Sequence, residues 1–243
     1  MRMKPLLVLV CCLASMPWAV GADAKQDSPD KYRPLRLYQT VPPNFPRSLL
    51  DKGVLNGFAR VVIDVDVAGL LTDWLVVGYS RREFSESAVA AVRQWNFDPL
   101  IVNGQPMPSQ VLLSFDFEAK GVVISVRPDI PLLERLSPAM FDQHYGPCTL
   151  RDLDGIPEPT TALKAPYPAD LLKRGIRGTV VVEFYIDETG AVRMPAVLSA
   201  DFPELGDLAA DAVRHWSFAP PTRQGKPVLV HARQVFNFGG DEN

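Results

Sequence analysis

Few side chains in this sequence stand where they could do chemistry together. His144 and Cys148 lie four residues apart, a spacing at which an imidazole and a thiolate could share a metal ion. A structural zinc site needs four such ligands, and no further Cys or His lies nearby. The two are read as a loop histidine and a half-buried thiol. His215 stands beside Trp216 in a helical pattern and is read as exposed, and His231 falls on an expected edge strand. No Ser–His–Asp order, glycine-rich phosphate loop or metal-spaced carboxylate set is present. Asp64 and Asp66 alternate with apolar residues, which places them on the outer face of a strand. The expectation is a protein that is not an enzyme, with no cofactor and no metal.

The chemistry to look for is therefore that of surfaces, and composition sets its limits. The chain has 243 residues, 47% hydrophobic and 22% charged, with a formal net charge of −3. That is globular composition, and no basic face for nucleic acid emerges. Arg2 and Lys4 precede an apolar run from Leu6 to Leu13, and Ala22-Asp23-Ala24 follows. A positive start, a short apolar core and an Ala-x-Ala site describe a signal peptide over 1–24. The alternative is an uncleaved membrane anchor, for which the segment with Pro17 is marginal in length. After cleavage only Cys148 remains, so no intramolecular disulfide can form.

An internal repeat organises the rest. At an offset of 121 residues, Ala91-Val92-Arg93-Gln94-Trp95-Asn96-Phe97-Asp98-Pro99 meets Ala212-Val213-Arg214-His215-Trp216-Ser217-Phe218-Ala219-Pro220. At the same offset Gly57, Asp66, Gly69, Gly104, Pro106, Phe115 and Phe117 meet Gly178, Asp187, Gly190, Gly225, Pro227, Phe236 and Phe238. Each copy predicts the same elements. A short helix (46–52, 168–174) starts with Pro and ends with Gly. An alternating strand follows, with Ala59, Val61, Ile63 and Val65, or Val180, Val182, Phe184 and Ile186, on its buried face. A turn ending in Gly leads to a second strand near 71–79 or 192–200. Pro195 makes the latter a sheet edge. A long helix carries Leu205, Leu208, Ala209, Ala212, Val213 and Trp216 on one stripe, with Trp95 and Trp216 as core plugs. A last strand runs near 109–117 or 229–238. The fold class is α+β: two tandem αββαβ domains, each a three-stranded antiparallel sheet packed on a helix. The boundaries are a linker over 25–44, the first domain over 45–118, a linker over 119–160 with an extra strand and short helices, and the second domain over 161–239.

These residues resemble the TonB C-terminal domain family. Its pattern appears as Tyr167-Pro168, Gly178, Asp187-Glu188-Thr189-Gly190, Arg214-His215-Trp216-Ser217-Phe218-Ala219-Pro220 and Gly225-Lys226-Pro227. Copy one repeats it with Phe45-Pro46 for Tyr-Pro. The resemblance implies a periplasmic module that pairs with a short peptide of an outer-membrane transporter, its last strand offering an open edge for strand addition. The chain departs from the family's energy transducers in three ways. Its N-terminal apolar segment has no His, it has no long Pro-rich spacer, and Lys164-Ala165 stand where a Gln-Pro pair is common.

The copies also differ from each other. After Phe117 a turn at 118–121 leads to Val122-Val123-Ile124-Ser125-Val126, a further strand able to cover copy one's edge. Copy two ends near Gly239-Gly240, which leaves its edge open. The expected partner-binding residues are therefore His231, Arg233, Val235 and Asn237, with the Tyr167-Pro168 pair. The expected partner is a periplasmic peptide segment of an outer-membrane transporter, or another envelope protein. Self-association into a homodimer, through the open edge or Cys148, is the structural alternative. The linker holds Pro128, Pro131, Pro138, Pro147, Pro157 and Pro159, with helical turns near 131–136 and 138–144. Its apolar residues Leu132, Leu133, Leu136, Met140 and Phe141 predict packing against a domain.

Overall fold

The computed structural model describes residues 31–127, 145–162 and 164–239. The N-terminal segment over 1–24, His144 and the turns near 131–136 and 138–144 lie outside these residues. Among the described residues, no helix is long and apolar enough to cross a membrane.

Copy one runs through α1 (Arg47–Leu50), β1 (Asn56–Val65), β2 (Leu71–Tyr79), α2 (Arg82–Val92), β3 (Ser109–Glu118) and β4 (Gly121–Arg127). Copy two runs through α3 (Ala169–Lys173), β5 (Gly178–Ile186), β6 (Val192–Ala200), α4 (Pro203–Arg214) and β7 (Val230–Phe238). The first sheet has the order β2-β1-β3-β4 and the second β6-β5-β7, with every neighbouring pair antiparallel. The duplicated registers coincide: Gly57 faces Phe117 and Gly178 faces Phe238.

The Asp-x-x-Gly signature has one physical cause in both copies. The Asp66 carboxylate accepts from the Ala68 and Leu70 amides, and Asp187 does the same for Thr189 and Ala191. Gly69 and Gly190 close these turns at φ +80° and +88°, where a side chain is strained. A Cβ on either would also strike the carbonyl of Phe97 or Phe218.

Each sheet packs one face on its long helix. In copy one Ala59, Val61, Ile63 and Val65 meet Phe84, Ala88, Val92 and Trp95, and in copy two Val180, Val182, Phe184 and Ile186 meet Leu205, Ala209 and Val213. Burying the Val, Leu, Ile and Phe side chains among them contributes about 1.5–3 kcal/mol each. Trp95 is a core plug as expected, 4% exposed, and its indole N–H donates to the Val41 carbonyl at 2.8 Å.

The segment read as a linker over 25–44 contributes structure from Lys31 onward. Arg36–Gln39 pairs with Asn96–Asp98, and Leu35 is buried. In copy two Pro159–Thr161 pairs with Ser217–Phe218 in the corresponding place, so the duplication reaches further upstream than the motifs. The described end of the second linker is tied to copy two: the Asp154 carboxylate accepts from the Gln224 and Gly225 amides.

The faces away from the helices were expected to be solvent-facing, and here the structure differs. The two sheets meet through them. Val62, Leu75, Val77 and Leu112 of copy one form one buried cluster with Tyr185, Met194 and Leu229 of copy two. Asp64 belongs to this junction and not to an open outer face. It accepts from Gln110, whose amide also reaches the Met194 carbonyl, while Arg193 donates to Asp73 at 2.8 Å. Burial, foremost, raises the Asp64 pKa above the ordinary carboxylate value. Met194 reaches the cluster from a bulge: Tyr185 faces Arg193 and Glu183 faces Ala196, so Met194 and Pro195 together oppose Phe184. Met194 sits at φ +52°, a conformation that costs about 1 kcal/mol. Pro195 is tolerated because β6 is an edge and the bulge takes it out of the ladder.

Candidate functional site

The open edge of the second sheet is built from the alternation of β7. Val230, Ala232, Phe236 and Phe238 turn to the helix-covered core. His231, Arg233, Val235 and Asn237 turn to the other face, as the period of a strand requires. That face is covered at one end only. Going from Tyr185 back through Glu183 and Val181 to Thr179 on β5, burial falls from buried to exposed, because copy one lies only beneath the turn end.

Backbone direction matters more than side chains at an edge. The His231 amide donates to the Cys148 carbonyl at 3.1 Å, and the Cys148 amide donates to the Leu229 carbonyl at 2.8 Å. His231 therefore points its backbone away from β5, and so, two and four residues on, do Arg233 and Val235, followed by Asn237. Cys148 fills the start of the edge as a single parallel bridge to Val230. From Arg233 to Phe238 no strand pairs with this edge among the described residues. One acceptor there is engaged by a neighbouring side chain: the Gln234 amide donates to the Val235 carbonyl at 2.9 Å. Such self-capping blunts an exposed edge.

The expected site residues thus fall into three groups. Arg233, Val235 and Asn237 line the open stretch, and Val235 is 50% exposed. His231 lies at the plugged end, its ring 5.0 Å from that of Tyr185 and its Nε2 3.6 Å from Glu183. Arg233 also approaches Glu183 at 3.6 Å. The Glu183 carboxylate is buried, and a buried charge needs such partners. Tyr167 and Pro168 sit at the far end. The Tyr167 hydroxyl donates to the Ile176 carbonyl, its ring packs edge-on against Phe238 at 5.7 Å, and Pro168 caps α3. They brace the end of β7, with Gly239 at φ +73° beneath the hydroxyl.

The equivalent edge in copy one is occupied. β4 pairs along β3 from Leu112 facing Arg127 to Glu118 facing Gly121, the extra strand expected from the sequence. Val122, Ile124 and Val126 pack onto the first core. Phe115 is accordingly fully buried, whereas its counterpart Phe236 is only partly so.

Three features had no signal in sequence. The Cys148 backbone plug depends on a contact across many residues. The Gln234 cap is a local side-chain choice. The stack of Tyr79 on Tyr145 at 4.6 Å, with the Tyr145 hydroxyl donating to Glu188, ties the copies together across the linker. Burial and this carboxylate together push the Tyr145 pKa far upward. The Glu183 position did carry a signal, a carboxylate inside an apolar strand. Cys148 itself is 8% exposed. Among the described residues no group of three or more His, Cys, Asp or Glu side chains is placed to hold a metal ion.

Comparison with known proteins follows the duplication. Protein TonB of Vibrio cholerae serotype O1 is 38% identical over 77 residues, 30% of this chain and 32% of that protein. Protein TonB of Xanthomonas campestris pv. campestris strain B100 is 34% identical over 77 residues, 31% of this chain and 34% of that protein. The chain therefore spans about a third of the length of the curated relatives it matches. The solution structure of the Pseudomonas aeruginosa TonB CTD is 29% identical, covering 40% of this chain and 96% of that one with a TM-score of 0.33. The family model of the Gram-negative bacterial TonB protein C-terminal matches residues 41–119 and again 164–239. Those two matches take in more than half of the sequence, and the chain belongs to this family, with the domain present twice.

Proposed function

We propose that this chain is a non-catalytic periplasmic binding protein that takes an extended segment of an envelope protein, such as an outer-membrane transporter, onto β7 by strand addition. The observation that carries this reading is the contrast between the two edges. Copy one fills its edge with β4, and among the described residues no strand pairs with Arg233 to Phe238 in copy two. Main-chain hydrogen bonds supply the affinity in this mode. Arg233, Val235 and Asn237 present the outward amides and carbonyls, while Tyr167 and Pro168 hold the end of the strand. Copy one acts as a rigid support for copy two, through the shared cluster and the Arg193–Asp73 pair.

The test is a photo-crosslinking residue at position 235 in cells, with a second at position 114 on β3, and Val235→Pro as the binding variant. The reading expects a discrete envelope-protein adduct from 235 and none from 114. Adducts from 114 alone would contradict it. A homodimer through the edge would appear as an adduct of the chain with itself. A disulfide-linked homodimer is disfavoured by the burial of Cys148.

A further inference from the structure

We infer that the groove between α2 and the outer strand β2 of copy one is a second binding site, which takes a proline-rich segment in the polyproline II conformation with a basic residue at one end. The groove lies away from β7 and the inference does not rest on strand addition. It begins with an irregularity in β2. Trp74, Val76 and Tyr79 stand opposite Ile63, Val61 and Ala59, all on the helix-covered face. The bulge at Val77 is what brings Tyr79 to the same face as Trp74. α2 lines the space beside them with the short side chains of Ser85, Val89 and Ala90, and about 600 Å³ stays open. Trp74 lies toward one end of this groove, and the stacked pair Tyr79–Tyr145 toward the other. All three rings are half-buried. The repeat shows that the groove is particular to copy one. At the offset of 121, Trp74, Tyr79 and Ser85 become Pro195, Ala200 and Gly206. A Cβ on Gly206 would lie 3.3 Å from that of Ala200, so α4 closes on β6 there.

Two observations select the occupant. The first is that the main chain of β2 is already engaged beside the groove. The Asp73 carboxylate accepts from the Trp74 amide, and Arg193 donates to the Trp74 carbonyl at 3.0 Å. The Tyr79 amide donates to the Tyr145 carbonyl at 3.1 Å. A strand cannot add along this stretch. A polyproline II segment needs no ladder, and its rings dock in aromatic-lined grooves. Its carbonyls need only scattered donors, and the groove has two. Among the described residues no hydrogen bond engages the Trp74 indole N–H or the Tyr79 hydroxyl. The second observation is that charge is uneven along the groove, which is continuous with the junction between the copies. Arg82 and Glu86 pair with each other at 3.1 Å. That leaves Glu188 of copy two beside the tyrosines, accepting from the Tyr145 hydroxyl. At the other end the Arg93 guanidinium lies 5.2 Å over the Trp74 ring. The basic residue of the segment therefore belongs at the tyrosine end. Five strand residues from Trp74 to Tyr79 reach at most about 16 Å, which a polyproline II helix covers in about five residues.

The probe is the heptapeptide Arg-Pro-Pro-Pro-Pro-Pro-Pro, titrated into the isotope-labelled full chain and followed by NMR, with Arg-Ala-Ala-Ala-Ala-Ala-Ala as the control. The inference expects the indole N–H resonance of Trp74, assigned by its loss in Trp74→Phe, to move while those of Trp95 and Trp216 stay. Trp74→Phe keeps a ring but removes the donor, and should weaken binding about fivefold. Tyr79→Ala should weaken it about tenfold or more. Gln in place of the peptide's Arg should weaken it a few-fold, a difference that Glu188→Gln erases. A Trp74 resonance that does not move, or equal binding of the alanine peptide, overturns the inference. An Arg preference that survives Glu188→Gln overturns it as well. Movement of the Trp74 resonance on dilution of the chain alone places a second copy in the groove and does the same.

Discussion

The same strand occurs twice in this molecule, and its two neighbourhoods are opposites. β3 is a central strand, with β1 on one side and β4 on the other. β7 has β5 on one side and, beyond the Cys148 plug, nothing paired on the other among the described residues. The residues facing the helices remain similar: Phe115 and Phe117 in one, Phe236 and Phe238 in the other. Fold and edge are thus separable. The core residues set the fold, and a few residues outside the motif decide whether an edge is closed.

Proline separates the two strands most sharply. Leu113 is fully buried in a central strand and its amide points into the ladder, so Leu113→Pro should cost about 3 kcal/mol or more and prevent stable folding. Val235→Pro loses an outward amide only. Its denaturant midpoint should stay close to that of the parent chain while peptide binding disappears. Comparable destabilisation by both prolines would break the contrast. The paired aromatics give the next largest difference. Phe115→Ala should lose about 3–5 kcal/mol and Phe236→Ala under half as much, both read by urea unfolding.

Smaller effects sharpen the contrast. Ile124→Glu should loosen β4 from the first core and open the edge of β3. Titration with a synthetic peptide of the segment captured at position 235 should then find two sites per chain instead of one. Gln234→Leu makes β7 resemble β3 and frees the Val235 carbonyl, so it should tighten binding of that peptide a few-fold, measured by fluorescence anisotropy. At the junction, Asp64 of copy one corresponds to Tyr185 of copy two. Its pKa is raised in the folded state, chiefly by burial, so folding favours the protonated form. Its contribution to stability is full below the ordinary carboxylate pKa and is lost as pH rises through the folded value. Asp64→Asn should therefore be slightly more stable than the parent near neutrality, with the difference vanishing at acid pH. Thermal melts across that range check the sign.

The sequence foretold what depends on periodicity and repetition. Alternation in Val180, Val182, Phe184 and Ile186 marks a strand face because a core needs it, and Pro195 marks an edge because it lacks an amide. The strand after Phe117 is legible because a turn and an apolar run follow a complete domain. Residues 31–39 escaped because two very short strands with one buried side chain between them, Leu35, have too little pattern to separate from a linker. The second sheet face escaped for a different reason. Val62, Leu75, Met194 and Tyr185 are scattered in sequence, and only the meeting of two folded sheets makes them neighbours. Arg233, Val235 and Asn237 were found through strand parity. The Cys148 plug that limits their edge is a tertiary contact, invisible to local pattern.

The extra strand is itself a competitor to β7, since β4 is also an outer strand. Hydrogen exchange, residue by residue on the full chain with and without a synthetic peptide of the segment captured at position 235, decides between them. In the free protein the amides of Arg233, Val235 and Asn237 should exchange quickly, while those of Leu112, Ser114 and Asp116, bonded to β4, should be protected. On binding, protection should appear at Arg233, Val235 and Asn237 and leave Val122, Ile124 and Val126 unchanged. Protection appearing along β4, with β7 still exchanging freely, would contradict the account.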